Sequence, residues 1–261
     1  RYGSDGSKYF ITNYVLPKDI GAAHTNGDIH IHDMDFYMLT ETCCQIDLIK
    51  LFKDGFCTGH GYIREPNSIK SYAALACIAI QANQNEMHGG QSVPNFDYAM
   101  ADGVIRTFRK EYFKAMEKYV RVKFDVDAET ASEFIQTLKN ALGTDIRMGT
   151  ADEYGKKLED WVNGGDILCG ERVLLAEDIQ KAHRTVVDMA LKETEGETYQ
   201  SMEALIHNLN TMNSRAGAQV PFSSVNYGTD CSPEGRMVIK NLLLATDAGL
   251  GNGETPSFPV Q

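Results

Sequence analysis

The sequence is poor in the features that mark several large classes of protein. No apolar run in the 261 residues is long enough to span a bilayer, and no internal repeat or low-complexity tract is found. A P-loop of the form GxxxxGK[ST] is missing, and so are CxxC pairs and zinc-finger spacing. These absences argue against a membrane-spanning protein, a repeat protein, a P-loop protein and a zinc finger.

Positive charge and cysteine are also scarce. The chain has 25 Lys and Arg against 36 Asp and Glu, a formal net charge of −11, so we expect no general attraction to nucleic acid. The six cysteines are scattered rather than grouped as in a disulfide framework. They are typical of reduced thiols, and we therefore expect a cytoplasmic protein.

Helical and strand patterns alternate along the chain, which favours an α/β fold with some parallel strand pairing. Helices are predicted at 17–26, 45–54, 68–85, two or three times within 95–140, at 171–193, at 199–213 and from Ser232 to Gly249. Strands are predicted at 28–33, at 219–227 and at the C-terminal end, whereas 143–170 should be irregular. No linker is evident, so we predict one domain over residues 1–261. The chain opens without an initiator methionine and closes on an apolar segment, so we expect a fragment of a longer polypeptide.

His30 and His32 stand two positions apart in a segment that alternates between apolar and polar residues. In a strand, this period places both imidazoles on the same face. Such a pair can hold a catalytic metal, orient a polar substrate or serve structure through backbone hydrogen bonds. A metal needs further ligands, and the other histidines form no second ligand motif. From these residues alone, the structural interpretation is favoured.

Cys43 and Cys44 are adjacent, eleven residues beyond the histidine segment. Adjacent cysteines are usually two small buried hydrophobic residues. The functional alternative makes Cys43 a donor of protons or hydrogen atoms, because an S–H bond is acidic and weak. If the pair is extended, the two side chains face opposite sides, so at most one thiol reaches a given pocket.

Glycine loops and one cationic cluster offer weaker signals. Gly89-Gly90 is predicted as a loop that ends the preceding helix, where glycine permits unusual backbone angles. Arg106, Arg109 and Lys110 lie in a charged helical stretch that is more typical of a solvated face than of a ligand site. The same cluster is nevertheless able to hold a nucleotide phosphate.

Eight segments, taken in order, form a recognisable set: Gly27–Asp33, Thr42–Leu48, Gly55–Gly61, Arg64–Pro66, His88–Ser92, Ser214–Gly217, Val220–Gly228 and Glu254–Pro256. Together they resemble one family, the anaerobic, oxygen-sensitive (class III) ribonucleoside-triphosphate reductases. The match covers nearly the whole chain, and the ordered set is specific although no single segment is. The chain resembles the N-terminal half of the catalytic domain without the regulatory ATP-cone.

The resemblance implies the fold of a glycyl radical enzyme, a ten-stranded α/β barrel of two parallel half-sheets. This chain then supplies the first half-barrel and long interface helices of a homodimer. The implied glycyl radical, made by a radical-SAM iron–sulfur activase, lies beyond Gln261. So does the four-cysteine zinc site, and the chain itself is expected to bind no metal.

The resemblance also implies roles for individual residues. Cys43 matches the thiol that donates a proton to the leaving 2′-hydroxyl of a ribonucleoside triphosphate, and formate or a thioredoxin-like protein is the final reductant. His30 and His32 match positions near the substrate. A specificity site for dNTP and ATP effectors is implied at the loop and helix positions Arg64, Asn67 and Lys110. The product would supply DNA synthesis.

Three hypotheses are therefore in competition. The first is a reductase fragment that carries one essential thiol and is inactive alone. The second is a metal-dependent hydrolase built on His30, His32 and neighbouring carboxylates. The third is a non-catalytic nucleotide-binding module in which Cys43 is merely packed.

Overall fold

Helices dominate the described residues, and one small parallel sheet packs against several of them. The computed structural model describes residues 2–38, 42–213 and 219–261. The helices are α1 (Tyr2–Phe10), α2 (Lys18–Asn26), α3 (Leu48–Lys53), α4 (Ile69–Glu86), α5 (Phe96–Phe124), α6 (Ala128–Leu142), α7 (Ala151–Asn163), α8 (Ala176–Thr211) and α9 (Pro233–Ala248). A π-helical segment, Ile11–Val15, follows α1, and short 3-10 helices span Met34–Phe36 and Met148–Thr150.

The strands form one three-stranded sheet and two short hairpins. They are β1 (Thr42–Gln45), β2 (Phe56–Cys57), β3 (Tyr62–Ile63), β4 (His88–Val93), β5 (Leu168–Cys169), β6 (Arg172–Val173) and β7 (Ser223–Val225). The sheet has the order β1-β4-β7 with every neighbour parallel, and Val260 adds a parallel bridge to Ser224. A mixed α/β fold with parallel pairing is therefore confirmed. The half-barrel and the single domain stay predictions.

The two faces of the parallel sheet differ in what they contact. Val93 and Val225 are buried in a hydrophobic cluster with α4, the start of α5, the end of α8 and α9. On the opposite face, Gly90, Ser92 and Ser224 line an open cavity. Parallel sheets are normally covered on both faces. Within the described residues, this sheet is covered on one.

A second hydrophobic cluster lies further along the two longest helices. It is formed by the second half of α5, by α6 and α7, and by the first half of α8. At its centre the Tyr112 hydroxyl lies 2.8 Å from Nδ1 of His183, whose Nε2 lies 3.0 Å from the Ala151 carbonyl. Burial lowers the pKa of His183. Since both ring nitrogens have protein partners, His183 serves this core.

Several predicted helices are confirmed together with the residues that begin and end them. Gly27 ends α2 in a left-handed conformation, φ 83°. Ser68 begins α4 in a capping box with Ser71, and Ser232 begins α9 by accepting a hydrogen bond from the Gly235 N–H. These signals depend only on residues a few positions apart, which explains why the sequence shows them.

The prediction of a strand at 28–33 is wrong. These residues form turns and irregular backbone, and Asp33 takes a left-handed conformation with φ 49°. No described strand pairs with the segment, and Ile29 is 42% exposed. Alternation alone does not make a strand when no neighbour satisfies the backbone hydrogen bonds.

Three further predictions are corrected. Residues 143–170, expected to be irregular, contain α7, whose apolar face packs into the second cluster. The two helices predicted on either side of Gly196 are one 36-residue helix, because Thr194 and Thr198 on its buried side pack continuously across the glycine. Gly89 and Gly90 lie inside β4 rather than in a loop.

Other boundaries shift as well. The helix predicted from Gln45 begins only at Leu48, after its N-cap Asp47. Gln45 itself is the last residue of strand β1. The predicted strand 219–227 is confirmed over Ser223–Val225. The segment Ser214–Gly217 lies outside the described residues. Within the described part of the chain, no helix combines the length and the apolar character that crossing a bilayer requires.

A buried carboxylate joins the ends of two neighbouring strands. Asp97, in the first turn of α5 after β4, has no exposed surface. Its Oδ2 accepts hydrogen bonds from the backbone N–H groups of Gly228, Thr229 and Asp230, at 2.8, 3.1 and 3.0 Å, in the loop after β7. Burial opposes ionisation, but the N–H donors of Asp230 and Gly228 outweigh it and lower the pKa of Asp97.

We predict that Asp97→Asn lowers the free energy of unfolding at pH 7 by about 1–3 kcal/mol. The two carboxylate oxygens accept from the three loop N–H groups and from the Tyr98 N–H, whereas an amide has no charge and only one accepting oxygen. The folded pKa lies below the unfolded value of about 3.9, so this stability is complete above that value and is lost as pH falls through the folded pKa. Urea unfolding at pH 7 and below pH 4 measures both effects. Asp188→Asn, on an exposed face of α8, is the control; an equal loss in both variants contradicts the prediction.

Candidate functional site

Cys43 lies at an irregularity in the pairing of β1 with β4. Thr42 pairs with His88 and Cys44 pairs with Gln91, so one residue of β1 faces two residues of β4. This is a β-bulge, which bends a strand and redirects a side chain. Cys43 itself has φ 59°, a left-handed conformation that costs an L-residue about 1 kcal/mol.

The bulge opens onto a cavity of about 290 Å³ on the uncovered face of the sheet. Cys43 is exposed there. Two serines and one glutamine in its wall offer hydrogen-bonding groups, and one glycine leaves room beside them. The lining residues are Cys43, Cys44, Gln45, Gly90, Ser92, Phe222 and Ser224.

Cys44 behaves differently from its neighbour. It is half-buried, packs against the first hydrophobic cluster and also lines a larger cavity of about 520 Å³ between α3, the β2–β3 hairpin and α4. Cys57 contributes a second thiol to that larger cavity. Cys43 does not line it, so the exposed thiol belongs to the sheet face alone.

His30 and His32 lie on the irregular segment before Met34 and are both exposed. Their rings are 5.9 Å apart between centroids, and His32 Nε2 lies 3.4 Å from Asp33 Oδ2. The predicted proximity of the two imidazoles therefore arises from a turn and not from a strand.

His88 is a residue of this region to which the sequence analysis gave no role. Its backbone pairs with Thr42, its ring stacks on Phe36 at 3.8 Å, and its Nε2 lies 3.9 Å from Asp33 Oδ1. Asp33 thus lies between His32 and His88 and connects the histidine segment to the strand beside Cys43. The segment His88–Ser92 was visible in the sequence, but its contact with Asp33 was not.

The described residues contain no group of three or more His, Cys, Asp or Glu side chains arranged to hold a metal ion. His60 is exposed near the tip of the β2–β3 hairpin, and His183 is bonded inside the second cluster. A hydrolytic metal site needs at least three protein ligands. The donor geometry therefore does not favour the hydrolase hypothesis.

The predicted effector residues lie on two elements that touch each other. Arg64 and Asn67 are exposed in the segment that leads into α4, and Lys110 is exposed on α5. The Ile69 N–H donates to Thr107 Oγ1 at 2.9 Å, which joins the start of α4 to the middle of α5. Lys110 lies one helical turn beyond this contact.

The two arginines near Lys110 are occupied by carboxylates. Arg106 forms ion pairs with Asp102 and Glu65, and Arg109 pairs with Asp145. Lys110 makes no ion pair with another described residue. Of the three cations in the predicted phosphate cluster, it is the one whose charge the described residues leave unneutralised.

The described residues form a mixed α/β fold, and its parallel sheet presents the Cys43 thiol on an uncovered face. Comparison with known proteins then gives the family. The sequence model of the family described as anaerobic ribonucleoside-triphosphate reductase matches residues 1–261. The chain therefore belongs to the anaerobic ribonucleoside-triphosphate reductase family, and the resemblance deduced from the ordered segments is confirmed.

Curated proteins named anaerobic ribonucleoside-triphosphate reductase are similar at low identity. Over 256 residues, identity is 24% to the protein of Salmonella typhimurium, 23% to that of Escherichia coli and 26% to that of Enterobacteria phage T4. The alignments cover 97% of this chain but 27%, 27% and 32% of those proteins. This chain spans about a third or less of the length of these relatives.

We predict a sharp division among the thiols in the native protein. Cys43, Cys57 and Cys231 are exposed, whereas Cys77 is buried and desolvation raises its pKa to about 12. At pH 8, that pKa leaves roughly a thousandfold less thiolate than an unperturbed thiol has. Iodoacetamide labelling followed by peptide mass spectrometry should modify the three exposed cysteines at least 100-fold faster than Cys77. If Cys77 is labelled at a similar rate before and after denaturation, its placement in the core is wrong.

Proposed function

We propose that this chain is the thiol-bearing part of an anaerobic enzyme that reduces ribonucleoside triphosphates to deoxyribonucleoside triphosphates for DNA synthesis. The main support is the position of Cys43, exposed at a bulge and bordering an open cavity on the uncovered sheet face. Membership of the reductase family supplies the reaction class.

The uncovered face also supports the proposed half-barrel. A parallel sheet is normally covered by a second layer on each of its faces. Here β1, β4 and β7 carry small or polar residues on the uncovered face, which suits the inside of a barrel that holds a polar substrate. We propose that a second half-sheet, from a part of the enzyme beyond Gln261, faces it.

Cys43 is proposed to act as an acid toward the ribose. Its S–H proton passes to the 2′-hydroxyl oxygen as the C2′–O bond breaks, so the hydroxyl leaves as water. The glycyl radical would generate a thiyl radical on a second cysteine, also outside this chain, and that thiyl would take the hydrogen from C3′, which weakens the C2′–O bond. The electrons for the reduction come from formate or a thioredoxin-like protein, and Cys43 takes part in their transfer.

The histidine segment is proposed to bind the substrate. Imidazoles donate and accept hydrogen bonds, and His30 and His32 are exposed and near each other. Asp33 connects this segment with His88, which lies on β4 next to the bulge. The ribose and phosphates would then be bound between the segment and the sheet.

The remaining partners follow from the same proposal. The enzyme is a homodimer and is activated by a radical-SAM iron–sulfur protein that forms the glycyl radical beyond Gln261. By resemblance to the family, its structural zinc lies there as well. The isolated 261-residue chain is therefore expected to make no deoxynucleotide.

Arg64, Asn67 and Lys110 are proposed to bind the phosphates and ribose of a dNTP or ATP effector. The contact between Ile69 and Thr107 holds the loop before α4 against α5. Through these two elements, effector binding at one site changes substrate preference at another, which is allostery in the two-site sense.

We predict that Cys43→Ser, in a complete enzyme carrying this chain, lowers deoxynucleotide formation by at least about 1,000-fold, because a hydroxyl is a far weaker acid than a thiol. Product chromatography under anaerobic conditions measures the effect. Cys231→Ser, at an exposed thiol outside the site, should retain activity within a factor of about two. Normal turnover by Cys43→Ser would refute the proposed role and favour a binding module.

We predict that Lys110→Ala weakens effector binding at least tenfold, because one charge-assisted contact to phosphate is worth about 1.5–3 kcal/mol. Isothermal titration of the complete enzyme with each dNTP checks this. Lys118→Ala changes an exposed lysine on the same helix and is the matched control. Equal affinity in both variants would remove Lys110 from the effector site.

A further inference from the structure

The backbone around Cys43 is under constraint on both strands. Cys43 has φ 59°, and Gly89, which faces it across the bulge, has φ 98°. Only glycine adopts the second conformation without strain. Such a pair of unusual conformations persists only where the surrounding structure enforces it.

The Cys43 thiol also lies directly beside Gly89. A Cβ atom placed on Gly89 would lie 2.9 Å from Cys43 Sγ and 3.1 Å from the Cys43 backbone nitrogen. Both distances are shorter than van der Waals contact. A side chain at Gly89 would therefore compete with the thiol for the same space.

We propose that Gly89 is a positioning residue for the Cys43 thiol, keeping free the space into which the bulge directs the sulfur. This inference rests on the proposed function for its catalytic consequence, but the geometry itself does not depend on the reaction. The bulge determines the direction of the side chain, and the missing Cβ of Gly89 leaves room for Sγ beside β4.

The sequence offers a matched control for backbone strain. Gly143, at the end of α6, has φ 74°, and a Cβ atom placed on it would have no neighbour within 4 Å. Alanine at Gly143 therefore introduces an alanine with positive φ without any contact to a thiol. Gly89→Ala and Gly143→Ala both place alanine at a positive φ, and they differ in the encounter with Cys43.

The first test is made on the full chain and needs no activity. In Gly89→Ala we expect the iodoacetamide labelling rate of Cys43 to change at least threefold, while the rates of exposed Cys57 and Cys231 stay within about 30%. Gly143→Ala should leave all three rates unchanged. An unchanged Cys43 rate in Gly89→Ala overturns the proposal.

Thermal unfolding gives a second, independent measure. The loss of Tm caused by Gly89→Ala should be at most half as large in a Cys43→Ala background, because the sulfur that collides with the new methyl group is absent. The loss caused by Gly143→Ala should be equal in both backgrounds. Equal losses for Gly89→Ala in both backgrounds would contradict a contact with the thiol.

Kinetics of the complete enzyme separate this inference from the proposed function. Gly89→Ala should lower kcat at least tenfold and leave KM for the ribonucleotide within threefold, since a misplaced acid affects the chemical step more than binding. If Gly89→Ala alters the labelling of Cys43 but leaves kcat normal, the proposed effect of Gly89 on catalysis is wrong. Normal turnover by Cys43→Ser overturns the proposed function itself, and the labelling result still decides the positioning.

Discussion

The close approach of Gly89 to Cys43 is the constraint on which the site depends. Two residues of β4 oppose one residue of β1, and the sulfur occupies the space that a side chain at Gly89 would fill. A regular ladder would leave no such space, because paired strands place side chains directly opposite each other. The bulge thus gives the Cys43 thiol a defined position beside β4, which a regular parallel pair of strands would not provide.

The rest of the fold keeps that pair of strands in place. Apolar residues on the inner face of the sheet pack on α4, α8 and α9, so the uncovered face is free of any role in the core. Asp97 ties the end of β4 to the loop after β7 through three backbone donors. Packing and hydrogen bonds therefore support the sheet on the side away from the cavity, which suits a site that must hold a thiol in one orientation.

Electrostatics distinguish the two proposed nucleotide sites. Near the sheet, the groups beside the start of β4 are the imidazoles of His32 and His88 with Asp33 between them, which offer a ligand hydrogen bonds rather than net positive charge. Near α5, Arg106 and Arg109 are neutralised by carboxylates, and Lys110 keeps its charge. The proposal that Lys110 binds phosphate rests on this difference in pairing, which the sequence cluster of three cations did not reveal.

The sequence by itself determined the helices that begin and end with local signals, such as α4 after Ser68 and α9 after Ser232, and it identified the family through ordered segments. These features depend on residues that are neighbours along the chain. Only the tertiary structure decided that 28–33 is a turn, that Gly89 lies in a strand and that Asp97 joins two strand ends. Strand pairing, bulges and buried hydrogen bonds involve residues far apart in sequence, so local patterns do not encode them.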